Sequence, residues 1–114
     1  MSHEYKQLTQ ELSASIGGLR KGIPDVMKGF SAMAGAALDD GALSKKTKEL
    51  MALAIGVAGH CKGCIGFHVK ALIALGVTRD ELAETLGMAI YMGGGPSLMY
   101  AAEAMQAFEE FSKS

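Results

Sequence analysis

Two cysteines and one histidine form the one group in this chain whose residue types and spacing could carry out covalent chemistry. Cys61, Cys64 and His68 follow the pattern C-x-x-C-x-x-x-H, and the chain has no other cysteine. On an α-helix, where each residue advances by about 100°, the three side chains fall within roughly 60° of one another. Both sulfurs and the imidazole would therefore share one face. A dithiol beside a base predicts redox chemistry.

The two sulfurs have different reasons to be reactive. Cys61 is predicted to lie at the start of a helix, where unpaired N–H groups and the helix dipole stabilise a thiolate, so we expect its pKa to lie below that of a free thiol. His68 lies one turn after Cys64, and its imidazole can take the proton of that thiol or pair with the thiolate. The spacing by itself does not rank the two sulfurs.

Glu49 joins this group if the chain reverses between it and the cysteines. On one continuous helix Glu49 and Cys61 would lie about 18 Å apart and on different faces. The helical pattern is interrupted at residues 59–60, and an antiparallel turn there would bring Glu49 level with His68. A carboxylate would then orient a base that activates Cys64, which is the logic of a catalytic triad. The alternative is an exposed charge on the first turn of its helix.

The elements that must position these residues are predicted to be helices, because apolar residues recur at intervals of three and four. The pattern predicts a five- or six-helix bundle, with helices at about 5–16, from Pro24 onward, and at 45–58, 61–75, 79–92 and 97–111. Gly17 and Gly18 are predicted to end the first helix, and Ser97 to cap the last one. The third helix, apolar on all sides after Glu49, should be central.

Composition limits the class of protein. A chain of 114 residues, 49% of them hydrophobic, predicts one domain over residues 1–114. The net charge of −1 and the scattered lysines exclude the basic surface of a nucleic-acid-binding protein. The longest weakly polar stretch, residues 50–59, is about half of a membrane span, and the polar N-terminal segment is unlike a signal peptide. We therefore expect a cytoplasmic protein with no nucleic-acid or membrane partner.

The apolar share is high for so small a chain, which predicts that part of its surface is buried against further copies of itself. The alternative is a monomer with a tightly packed core rich in Ala and Leu. The two cysteines lie only three residues apart and cannot join distant parts of a fold. They are therefore a local reactive or ligating pair, which agrees with a reducing compartment.

These residues resemble a known family. Glu49, an interval of eleven residues, then Cys61, Lys62, Gly63, Cys64 and, after three more, His68 are similar to the core signature of the AhpD-like proteins within the carboxymuconolactone decarboxylase family. The likeness continues through ALIALGVTRDELAETLGMAIYMGG and covers about residues 43–111. Five fixed elements agree, whereas a bare C-x-x-C would be weak support.

The resemblance implies an all-helical fold assembled as homotrimers or homohexamers. It also implies a thiol-dependent peroxidase or disulfide reductase activity, without metal or bound organic cofactor. A reductant that carries a thiol, of the lipoyl- or thioredoxin-like kind, would be the partner that restores the dithiol.

The resemblance also implies roles for the residues. Cys64 would attack the hydroperoxide, Glu49 and His68 would relay its proton, and Cys61 would resolve the sulfenic acid as a disulfide. The best studied members have a histidine directly before the second cysteine, where this chain has Gly63. His60, on the other side of Cys61, is the candidate accessory imidazole.

Other interpretations use the same residues or the same family. A non-catalytic helical module could use the dithiol as a redox sensor or bind zinc. The zinc donors would be Cys61, Cys64, His68 and either His60 or Glu49. A lyase acting on a small organic acid is a further possibility, although the decarboxylases that name the family lack the cysteine pair. Arg20 and Arg79, which could hold a carboxylate, are distant from the motif in sequence. Two inert buried cysteines are the simplest alternative.

Overall fold

The structure is a computed structural model that describes residues 4–113. It contains six helices: α1 (Glu4–Gly22), α2 (Pro24–Leu38), α3 (Lys45–Ala58), α4 (Lys62–Ala74), α5 (Arg79–Gly93) and α6 (Gly95–Ser112). No strand occurs in this part of the chain. The predicted all-helical fold is therefore confirmed. None of the six helices combines the length and the apolar character needed to cross a membrane.

The chain reverses between α3 and α4, as the interruption at residues 59–60 predicted. His60 has a left-handed backbone with φ of 58°. The N–H groups of residues 59, 60 and 61 donate to the last carbonyls of α3, those of Ile55, Val57 and Gly56. These bonds satisfy acceptors that the end of a helix leaves unpaired. The two helices are thus connected by a tight turn.

Gly56 allows α3 and α4 to pack closely at the site. A β-carbon added to Gly56 would lie 2.8 Å from the β-carbon of Cys64, which is closer than such atoms approach in proteins. Gly56 and Glu49 lie on α3, and their contacts on α4, Cys64 and His68, follow in the opposite order. The pair is therefore antiparallel, and the missing side chain at Gly56 allows the two backbones to approach.

The hydrophobic core draws on five of the helices, with α4 in contact with α1, α3 and α6. The buried apolar side chains are Tyr5, Leu53, Val57, Ile65, Val69, Leu72, Leu82, Leu86, Ala89, Ala101, Ala104, Ala107 and Phe111. α3 packs against α4, α5 and α6, as a central helix should. One side of it differs from the prediction, because Met51 and Ile55 are 49% and 71% exposed.

Several predicted helix ends are confirmed by their hydrogen bonds. The Ser44 side chain accepts from the backbone N–H of Thr47 at the start of α3. Thr78 and Glu81 form the capping box that opens α5. Gly76, which follows α4, has a φ of 78°, as a left-handed C-terminal position requires. These short-range signals define the ends of the helices that hold the motif.

The predicted end of the first helix is wrong. α1 continues through Gly17 and Gly18 to Gly22. A helix-ending glycine takes a positive φ, and neither of these two glycines does. Glycine also adopts ordinary helical angles, so a Gly-Gly pair permits a helix end without requiring one. The N-terminus of α1 is capped by another helix, because Glu110 accepts from the backbone N–H groups of Tyr5 and Lys6 at 2.8 Å and 3.2 Å.

The predicted start of the last helix is also wrong. α6 begins at Gly95, with Gly94 as its N-cap at a φ of 79° and Pro96 in its first turn. The helix begins earlier because Gly94 makes the turn, and Pro96 is already restricted to a helical φ. Ser97 therefore lies inside the first turn. Its side chain is buried against Gly93, and its hydroxyl has no hydrogen-bond partner among the described residues.

α2 differs from the other five helices because none of its residues is buried. Among the helices that the structure describes, it makes contact only with α1 and α3. Val26, Phe30 and Met33 form an apolar stripe along it, and they are 64%, 60% and 62% exposed. A helix with this stripe has an apolar surface that the described part of one chain does not cover.

Candidate redox site

Cys61 and Cys64 are joined as a disulfide, with their α-carbons 5.2 Å apart. Cys61 is the N-cap of α4, and its sulfur accepts a hydrogen bond from the backbone N–H of Cys64 at 3.1 Å. Both cysteines are partly accessible. The sequence placed Cys61 at or near the start of this helix, and the structure places it at the cap. A thiolate on Cys61 would therefore lie at the positive end of α4.

Glu49 and His68 meet across the α3–α4 interface. The Glu49 carboxylate lies 2.5 Å from Nδ1 of His68. The Glu49 residue is only 4% exposed, so the alternative of a solvated charge at the start of α3 is wrong. With Glu49 ionised, its carboxylate can only accept a hydrogen bond, and in that state the proton of this contact belongs to Nδ1. Nε2 is then the nitrogen with a free lone pair in the neutral ring.

The position of His68 relative to the sulfurs completes the geometry. His68 lies four residues after Cys64 on α4, so the two side chains share a face. In the disulfide form, no hydrogen bond within residues 4–113 joins the imidazole to either sulfur. The structure thus brings Glu49 and His68 into contact. The last step of the predicted relay, from His68 to a reduced Cys64, stays a prediction.

The residues on either side of Cys61 are held by α6, which the sequence did not indicate. The His60 ring stacks on Tyr100, with ring centroids 4.8 Å apart. The Lys62 ammonium pairs with Glu4 at 3.0 Å and with Glu103 at 3.3 Å. Hydrogen bonds to Glu4 and then to Glu103 raise the pKa of Lys62. His60, the candidate accessory imidazole, is thus engaged by an aromatic ring.

Glu103 also connects the site to α1. It accepts a hydrogen bond from the buried hydroxyl of Tyr5 at 2.6 Å. Burial and then this hydrogen bond raise the pKa of Tyr5. The three residues Tyr5, Lys62 and Glu103 therefore form one polar network between α1, α4 and α6. No local sequence signal indicates it, because its members are separated by tens of residues.

The structure also bears on the zinc and lyase interpretations. No group of three or more His, Cys, Asp or Glu side chains in residues 4–113 is arranged to hold a metal ion. Arg79, a candidate for holding a carboxylate, is paired with Glu109 and lies over the ring of Phe108 at 5.2 Å. Arg20 is exposed on α1. Folding thus engages Arg79 with partners on α6.

The order of residues in the motif and the helical hairpin that carries it agree with the sequence comparison. Residues 24–107 match the carboxymuconolactone decarboxylase family. The chain belongs to this family. An uncharacterized protein of Cupriavidus necator is 37% identical over 109 residues, covering 96% of each chain. A second relative, uncharacterized protein 4 in the cox locus of Paracoccus denitrificans, is 31% identical over 98 residues, or 86% of this chain and 88% of the relative.

Two solved structures have the same fold. A carboxymuconolactone decarboxylase family protein from Legionella pneumophila, crystallised in its apo form, superposes with a TM-score of 0.96. It is 58% identical, and the match covers 97% of this chain and 99% of that one. A protein from Thermotoga maritima superposes with a TM-score of 0.80 at 27% identity, over 98% of this chain and 96% of that one. The family predicted from the motif is confirmed, and its helical fold with it.

Proposed function

We propose that this protein is a thiol-dependent oxidoreductase of the AhpD-like kind, which reduces hydroperoxides or disulfides by cycling Cys61 and Cys64 between dithiol and disulfide. The observation that carries the proposal is the buried contact between Glu49 and His68, four residues beyond a cysteine pair that already forms a disulfide. A nucleophile, a base and a group that orients the base are the parts that thiol chemistry at neutral pH needs.

The peroxidase cycle begins with the reduced site. His68 accepts the Cys64 proton, and the resulting thiolate attacks one oxygen of the hydroperoxide. The O–O bond breaks, a sulfenic acid forms on Cys64, and the alcohol leaves with the proton from His68. The Cys61 thiolate then attacks the Cys64 sulfur, and the disulfide forms with loss of water. An external dithiol reduces this disulfide by thiol–disulfide exchange and is itself oxidised.

Glu49 supports each proton transfer without exchanging a proton itself. Its carboxylate holds Nδ1–H, which leaves Nε2 as the site that takes and returns the proton. The negative charge also stabilises the imidazolium that forms when Cys64 is a thiolate. Because Glu49 is buried, it has little water to replace His68 as a partner. The carboxylate is therefore suited to orienting the base.

The decisive experiment asks which sulfur carries the sulfenic acid. Hydroperoxide should consume both thiols of the reduced wild type. In the Cys61→Ser variant the reaction should stop at a sulfenic acid on Cys64, which a dimedone-type reagent traps and mass spectrometry locates. Cys64→Ser should give little trapped product. Trapping on Cys61 would reverse the two roles.

Catalytic turnover separates this proposal from its alternatives. A peroxidase consumes many equivalents of hydroperoxide when a dithiol reductant is supplied, whereas a redox sensor consumes one equivalent per site. Stoichiometric zinc in the purified protein, without turnover, would favour the zinc-binding module. Turnover of a small organic acid that survives replacement of both cysteines by serine would favour the lyase. We propose a lipoyl- or thioredoxin-like protein as the reductant, because either presents a dithiol.

We further propose that the chain assembles as a homotrimer or homohexamer through its exposed apolar residues. Monomeric soluble proteins rarely expose large contiguous apolar patches, and α2 contributes no buried residue to its own chain. Replacement of Phe30 by Glu should shift the mass measured by light scattering toward that of the monomer. Lys28→Glu, on the same helix, is the matched control. Unchanged masses for both variants would place the interface elsewhere.

A further inference from the structure

α6 contacts both sequence neighbours of Cys61. Tyr100 stacks on His60, the residue before Cys61, with the two rings within 3° of parallel. Glu103 pairs with Lys62, the residue after it, at 3.3 Å. Tyr100 and Glu103 are three residues apart and share one face of α6. One face of one helix therefore contacts the side chains on both sides of the first cysteine.

The backbone of His60, next to Cys61, has an unusual conformation. His60 is the one residue other than glycine in the described chain with a positive φ, at 58°. L-residues adopt this region at an energetic cost, and it persists where neighbouring contacts compensate. The stack on Tyr100 is such a contact. This turn of the backbone allows the Cys61 N–H to donate to the carbonyl of Gly56 at 2.9 Å.

Cys61 needs this backbone in order to act as the cap of α4. Its angles, φ of −108° and ψ of 97°, are extended, as an N-cap requires. Its carbonyl accepts from Ile65 at 3.0 Å and its sulfur from Cys64 at 3.1 Å. A thiolate in this position receives the hydrogen bond and the helix dipole together. Both depend on Cys61 staying at the cap of α4.

We propose that Tyr100 is a positioning residue, which holds Cys61 at the N-terminus of α4 and so keeps it reactive as a thiolate in the reduced site. The proposal rests on the proposed dithiol cycle, in which Cys61 resolves the sulfenic acid. Tyr100 acts through the ring of His60. Neither residue touches the reacting atoms.

The test measures the thiolate of Cys61 without requiring turnover. Cys61 is alkylated over a range of pH in a Cys64→Ser background, and the midpoint is compared among variants. Tyr100→Leu removes the stack, and His60→Ala removes it while leaving the cost of the positive φ in place. Each should raise the midpoint by about one pH unit, because a thiol away from a helix N-terminus titrates higher. Tyr100→Phe should restore the wild-type midpoint.

Two comparisons exclude a general loss of structure. The double variant of His60→Ala with Tyr100→Leu should match either single variant, since the two rings act as one unit. The alkylation profile of Cys64, measured in a Cys61→Ser background, should stay unchanged. Gln106→Ala, on the exposed side of α6, is the matched control and should leave the Cys61 midpoint unchanged.

The outcomes separate this proposal from the proposed function. An unchanged Cys61 midpoint in Tyr100→Leu, or an equal shift of the Cys64 profile, would refute the positioning role. A wild type that shows the expected Cys61 midpoint but never cycles between dithiol and disulfide would instead refute the proposed function.

Discussion

Gly56→Ala tests whether the close packing of α3 on α4 holds the site together. The added β-carbon would lie 2.8 Å from the β-carbon of Cys64, about 0.6 Å short of the 3.4 Å at which ordinary contact begins. The atom it meets is the first of its side chain and has no freedom to rotate away, so the helices must separate. Overpacking of this kind costs about 1–3 kcal/mol. The gain from replacing a helical glycine by alanine offsets about 0.5–1 kcal/mol of this.

We therefore expect Gly56→Ala to lower the free energy of unfolding by about 1–2 kcal/mol, which lowers Tm by about 4–8 °C for a chain of this size. Gly18→Ala is the matched control, because no atom lies within 4 Å of the added β-carbon. Gly18→Ala should raise the free energy of unfolding by about 0.5–1 kcal/mol. Thermal or urea unfolding of the oxidised proteins, at one protein concentration, measures both. Equal stability of the two variants would show that the close approach of α3 and α4 at Gly56 does not limit the size of this side chain.

Two further predictions concern the attachment of α1. The pKa values of Tyr5 and Lys62 are both raised in the folded protein, so their contribution to stability is present below about pH 10 and is lost as the pH rises further. In Tyr5→Phe, the free energy of unfolding should therefore decline less steeply with pH in the alkaline range than in the wild type. The same dependence on pH in both proteins would contradict this prediction. Glu110→Ala removes the cap of α1, at a cost of about 0.5–2 kcal/mol. In Glu110→Ala, amide hydrogen exchange should accelerate in the first turn of α1, whereas in the control variant Gln106→Ala it should not. Equal protection of this turn in the two variants would show that the cap contributes nothing.

The core of the site could be predicted because its signals are local. Cys61, Cys64 and His68 lie on one helix, so their spacing alone defines a shared face. Glu49 required a single additional inference, the reversal at residues 59–60. Once that turn is accepted, equal distances from it bring Glu49 and His68 together, and the structure has them in contact.

The surroundings of the site could not be predicted because they depend on which helix faces lie together. Tyr100 and Glu103 are ordinary residues of an amphipathic helix until α6 is packed beside the turn. Periodicity indicates which side of a helix is apolar, but it does not name the partner. Glu110 likewise carries no sequence signal as the cap of α1, because the cap and its helix are about a hundred residues apart in the chain.

Among the helix ends, too, some could be predicted from the sequence and others could not. Gly76 ends α4 with a positive φ, as predicted, whereas the pair at 17–18 continues as a helix. The residue type is the same and the conformation differs, because glycine permits both. Only the packing around each position decides between them.

If the Glu49–His68 pair activates Cys64, the two residues must control the rate at which hydroperoxide consumes the Cys64 thiol. The measurement uses a Cys61→Ser background, so that a single thiol reports. Glu84→Gln, at an exposed position on α5, serves as the control. General base catalysis by a positioned side chain contributes about a hundredfold or more. We expect a loss of that order in His68→Ala, a smaller loss in Glu49→Gln, and none in the control. Rates equal to that of the control in both variants would contradict this role of the pair.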